Sequence, residues 1–247
     1  MDNTVGTALK PDVRIYPDLA ELSRAAAEEF VRVVGECSEQ TGRCAVALAG
    51  GNTPRGLYEL LATDSAERIP WAKVHLYWGD ERYVPFEDPQ SNFSMVCDAL
   101  LDQVPIPRGN VHPMLTQYAD PDDAARKYEG MLRQNFHGDW PDFDLLLLGT
   151  GAEGHTASLF PNSPALAEHV RWVVAARVPV EPRVRLTLTL PAINNAHNVF
   201  FMAAGEEKRD VLKRFFQNPS AEVTDLPISL VRPAGHAIWF LDQAAAG

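Results

Sequence analysis

Residues 143–161 read FDLLLLGTGAEGHTASLFP. The apolar run at 143–148 is short and stops at a glycine, the pattern of a strand covered on both faces. Strands covered on both faces belong to parallel sheets flanked by helices. This stretch therefore predicts an α/β fold in which one buried strand ends in a polar, glycine-rich turn holding a histidine, His155.

The same rhythm extends in both directions. Residues 12–16 (DVRIY), 43–49 (RCAVALA), 73–78 (KVHLYW), 170–177, 184–190, 198–204 and 236–241 (HAIWFL) read as further strands. Helical spacing follows Asp18, whose capping box with Glu21 marks a helix start. Helices are also expected at 54–62 with Pro54 at the first position, from Ser91 to Leu101, at 121–135 and at 206–217. Alternating strand and helix implies a Rossmann-like, mainly parallel sheet with helices on both faces. The chain shows no repeat and no linker, so a single α/β domain over 13–247 is expected behind an N-terminal tail, 1–12.

Composition narrows the function. The 247 residues are 46% hydrophobic and 22% charged, ordinary for a globular protein. The net charge of -11 argues against nucleic acid and against an anionic membrane, which both need a basic face. Three cysteines, Cys37, Cys44 and Cys97, make no CxxC pair and read as small buried hydrophobes. No HExxH or other ligand spacing is present, so no metal site is expected. The first residues carry no signal-peptide pattern, and a reducing cytoplasm is the default compartment.

Ligands of open α/β sheets bind at the carboxyl ends of strands. Three such ends carry unusual polar residues. Gly50, Gly51, Asn52 and Thr53 join a strand to a helix start, an arrangement suited to phosphate or to a plain tight turn. Asp80 and Arg82 follow KVHLYW, as a solvated turn or as cleft residues. His155, with Glu153 two residues before it, is displayed on the third turn, where a general base could sit. Ser158 is not in a GxSxG elbow, which disfavours a serine hydrolase. Arg183 and Arg185 would share one face of a strand, and Lys208 lies between a strand and a helix.

Taken in order, AGGNTP, WGDERYVP with SNF, GTGAEGHTASLFP, RLTLTLPAINNA, GEEK and WFLD resemble the 6-phosphogluconolactonase family over about residues 13–243. The resemblance implies the fold shared with glucosamine-6-phosphate deaminase and ribose-5-phosphate isomerase. It implies hydrolysis of 6-phospho-D-glucono-1,5-lactone, the second step of the oxidative pentose phosphate pathway, without metal or organic cofactor. His155 matches the family's base, while Asp80, Arg82 and Glu153 complete the catalytic group. Glu153 stands where the family commonly has Asp. Gly50, Gly51, Asn52, Thr53, Arg185 and Lys208 match substrate and phosphate positions. The oxyanion is left to Arg82 or to backbone N–H groups of the glycine loops. A monomer is expected, with a small-molecule lactone as its partner.

Two rivals remain. One is an amino-sugar-phosphate deaminase–isomerase on the same fold. Such enzymes resemble GHIAFNEP where this chain has GHTASLFP. The other is a non-catalytic sugar-phosphate sensor. Such sensors carry a DNA-binding segment, for which a dozen residues before the first strand are too few. An acidic chain with an anionic ligand further requires Arg82, Arg185 and Lys208 to converge in a small positive cleft.

Overall fold

A computed structural model describes residues 11–247. Its strands and α-helices, in chain order, are β1 (Asp12–Tyr16), α1 (Leu19–Thr41), β2 (Cys44–Leu48), α2 (Asn52–Ala62), β3 (Val74–Trp78), β4 (Asp80–Arg82), α3 (Asn92–Val96), β5 (Val111–His112), α4 (Pro121–Asn135), β6 (Leu145–Leu148), β7 (Val173–Arg177), β8 (Val184–Leu188), α5 (Leu190–Asn194), β9 (Asn198–Ala203), α6 (Arg209–Gln217), β10 (His236–Asp242) and α7 (Gln243–Ala246). Strand β1 opens at Asp12, one residue inside the expected tail, and residues 1–10 lie outside the described ones.

Seven strands form one parallel sheet in the order β1-β10-β9-β6-β2-β3-β5. The central strands β2 and β6 are buried at every residue, because helices cover both faces there. From β2 the chain builds outward through β3 and β5. From β6 it builds the other way through β9 and β10. The order therefore reverses between β2 and β6, and a crevice opens above their carboxyl ends.

Local chemistry explains the helix starts. Asp18 caps α1 by accepting the Glu21 N–H at 2.9 Å. The apolar face of α1, including Leu22, Ala26 and Phe30, is fully buried. Ser91 caps α3 through the Ser94 N–H at 3.2 Å, but the helix widens into a π-turn at Cys97–Leu101. Helix α2 starts two residues earlier than expected, so Pro54 is its third residue and not its first. Among the described residues, no helix is long and apolar enough to cross a membrane.

A second sheet was not anticipated. Strands β4, β8 and β7 pair antiparallel in that order. Gly79 links the two sheets: its N–H donates to the Leu48 carbonyl of β2, and its carbonyl accepts from Leu188 at the end of β8, both at 2.9 Å. The small sheet thereby stands over the crevice and brings Asp80, Arg82 and Arg185 to it.

Candidate active site

The crevice between β2 and β6 holds a cavity of about 280 Å³. Gly50, Gly51, Asn52, Thr53, Asp80, Arg82, His155, Arg185 and Lys208 all line it. Glu153 reaches the site through His155, whose Nδ1 lies 2.9 Å from Glu153 Oε1. The longer side chain of Glu153 therefore still contacts the imidazole directly. That bond holds the Glu153 carboxyl below its ordinary pKa, against the opposing effect of partial burial.

Both the imidazole and its backbone are held in place. Its ring stacks on Phe160, with centroids 4.1 Å apart. The His155 carbonyl accepts from Gly151 N–H at 2.9 Å. A Cβ at Gly151 would collide with both His155 Nδ1 and the Glu153 carboxylate. Glycine at this position is what lets the pair sit over the turn. With Nδ1 on Glu153, Nε2 has no protein partner among the described residues.

Strand alternation sorts the DER triplet. Asp80 and Arg82 line the cavity, while Glu81 points inward and is fully buried. Asp80 Oδ2 accepts from Ser158 Oγ at 2.6 Å, and the Asp80 carbonyl accepts from Asn92 Nδ2 at 2.9 Å. Glu81 Oε1 accepts the N–H groups of Arg82 and Asn92 at 2.7 Å each, and Oε2 accepts that of Phe93 at 2.8 Å. Burial pushes the Glu81 carboxyl up to about 7, opposed by these backbone donors.

Three basic side chains, Arg82, Arg185 and Lys208, line the cavity together with Asp80 and Glu207. Arg82 pairs with Arg185 across the β4–β8 register. Arg185 is buried and donates through Nε to the Pro182 carbonyl at 2.8 Å. Arg82 donates to the Gln90 carbonyl at 2.8 Å. Lys208 comes from the turn after β9, with Nζ 3.8 Å from Glu207 Oε1. Helix α2 points its N-terminus into the cavity. Its N-cap is Gly51 at φ 98°, and no side chain caps the helix. The N–H groups of its first turn are thus available to an anion.

Arg183 does not line the cavity with Arg185. It precedes β8, lies exposed and pairs with Glu181 at 2.7 Å. Asn92 and Ser158 have roles that were not foreseen. Asn92 lines the cavity behind Gly50, and the fully buried Ser158 braces Asp80. The SNF block was the only sequence signal for Asn92.

The chain is similar to known proteins over most of its length. The profile of the family described as glucosamine-6-phosphate isomerases/6-phosphogluconolactonase matches residues 17–239. A 6-phosphogluconolactonase of Synechocystis sp. is 44% identical over 91% of this chain and 92% of that protein. The crystal structure of 6-phosphogluconolactonase from Thermotoga maritima superposes with a TM-score of 0.82 at 32% identity, covering 95% of this chain and 100% of that one. A monomeric glucosamine-6-phosphate deaminase superposes with a TM-score of 0.79 at 20% identity, over 95% of this chain and 98% of that one, which extends the shared fold alone. The chain belongs to the glucosamine-6-phosphate isomerase/6-phosphogluconolactonase family.

Proposed function

We propose that this chain hydrolyses 6-phospho-D-glucono-1,5-lactone to 6-phospho-D-gluconate. The observation that carries this reading is the oriented His155, lining the same cavity as three cations drawn from distant segments. Nδ1–H donates to Glu153, so Nε2 holds a lone pair toward the cavity. Nε2 takes a proton from water as the water oxygen bonds to C1. The C1–ring-oxygen bond then breaks, and the imidazolium returns its proton to the departing oxygen. The new carboxyl group releases one proton to solvent. Glu153 stabilises the transient imidazolium.

The remote phosphate fixes C1 beside the histidine. Arg185, Lys208 and the first-turn N–H groups of α2 hold the phosphate, with Gly50 and Gly51 allowing close approach. Charge that builds on the C1 oxygen falls to Arg82 or to the glycine-loop N–H groups. Asp80 is occupied by Ser158 and Asn92 and anchors the β4 edge. All these groups come from one chain, so the monomer is complete for catalysis. Free thiols at all three cysteines suit a reducing compartment, and we place the enzyme in the cytoplasm.

The test is hydrolysis of freshly generated lactone, corrected for spontaneous opening. Enzyme-dependent opening is expected. Ammonia release from glucosamine 6-phosphate in its place would overturn the reading.

A further inference from the structure

A second cluster lies at the opposite ends of the central strands. Cys44 opens β2, and Asp144 immediately precedes β6. Cys37 is carried by the last part of α1, where its thiol donates to the Arg43 carbonyl at 3.0 Å. Cys37 Sγ, Cys44 Sγ and an Asp144 carboxylate oxygen all lie within 4.8 Å of one another. The third member is far away in sequence, which is why Cys37 and Cys44 read only as buried hydrophobes there.

We infer that Cys37, Cys44 and Asp144 form a binding site for a soft divalent cation of the zinc class. Two sulfurs and one carboxylate oxygen are a donor set that such ions prefer. Tetrahedral coordination with metal–sulfur bonds of about 2.3 Å places donor atoms roughly 3.5–3.8 Å apart. The observed cluster needs a closure of only about an ångström, within reach of a cysteine side-chain rotation.

Other features favour the assignment. Asp144 Oδ2 accepts the Ala45 N–H at 2.7 Å, the kind of bond that orients a ligating carboxylate. Thr41 Oγ1, 3.9 Å from Cys37 Sγ, or a water can fill the fourth position. Cys37 is half-buried and Cys44 fully buried, so an ion or a small alkylating reagent reaches the cluster at Cys37. On binding, two sulfur–metal bonds form and two thiol protons pass to solvent, with no change of oxidation state. The loaded site carries one net negative charge, which the neighbouring Arg43 offsets. The ion would tie the end of α1 to the starts of β2 and β6, away from the catalytic crevice.

The test uses the full chain, kept reduced with a phosphine and titrated with Cd²⁺ alone. A saturable thiolate-to-metal charge-transfer band at one equivalent is expected, together with a raised melting temperature. Zn²⁺ should displace the Cd²⁺ and abolish the band. Cys37→Ser should remove both signals and Asp144→Asn should weaken them. Cys97→Ser should leave both unchanged. In the wild type, Zn²⁺ should shield Cys37 but not Cys97 from alkylation, a readout that needs no variant to fold. Absence of saturable binding, a band indifferent to Cys37→Ser, or shielding of Cys97 would overturn the site.

Discussion

Arg82 and Arg185 stand directly opposite each other on the β4–β8 pair, and among the described residues neither forms an ion pair. Burial, and then the Arg82 charge, lower the pKa of Arg185 from its ordinary value. Like charges facing each other across a sheet are destabilising. An anion beside Arg185 offsets that repulsion, and in the proposed reading this anion is the substrate phosphate.

Arg185→Ala should therefore raise KM for the phosphorylated lactone and change kcat much less. Inorganic phosphate should raise the melting temperature of the wild type more than that of the variant. Steady-state kinetics and thermal melts with and without phosphate check both. An unchanged KM would remove Arg185 from phosphate binding.

Gly151→Ala tests the seat of the base. The added methyl collides with His155 Nδ1 and the Glu153 carboxylate, both ends of flexible side chains, so the fold should survive while the imidazole shifts. A displacement approaching an ångström costs on the order of 10²-fold in kcat. Circular dichroism paired with turnover separates this from unfolding.

Glu81→Gln tests the buried carboxylate beneath the crevice. The amide turns one of two acceptor oxygens into a donor that faces backbone N–H groups. A loss of about 1–3 kcal/mol in urea unfolding is expected at pH 5. The pH dependence has a definite sign. Glu81 is raised from 4.5 to about 7 on folding, so the folded state binds more protons between these values. Wild-type stability from this group is fully present below 4.5 and is lost as pH rises through about 7. The glutamine variant lacks that loss, so its deficit should narrow as pH rises across this window.

Much of the fold was legible because its signals are local. The leucine run ending at Gly149 marked β6, and the Asp18–Glu21 box marked the start of α1. The site residues were legible as polar breaks at strand ends, since parallel sheets bind ligands there. The small sheet was not legible. Strand β4 has three residues, too few to show a period, and its partner β8 is a hundred positions away. The opposition of Arg82 to Arg185 is a property of that register. Glu81 looked like one more charge in a solvated triplet, and only pairing shows it turned inward. The three-way approach of Cys37, Cys44 and Asp144 was hidden for the same nonlocal reason.

The central claim is that His155 activates water on the lactone carbonyl. The most direct measurement compares kcat of the wild type with that of a folded His155→Ala variant on fresh 6-phospho-D-glucono-1,5-lactone, after subtracting spontaneous opening. A loss on the order of 10²–10⁴ in kcat with native circular dichroism is the expected result. Turnover close to wild type in that variant would contradict the account.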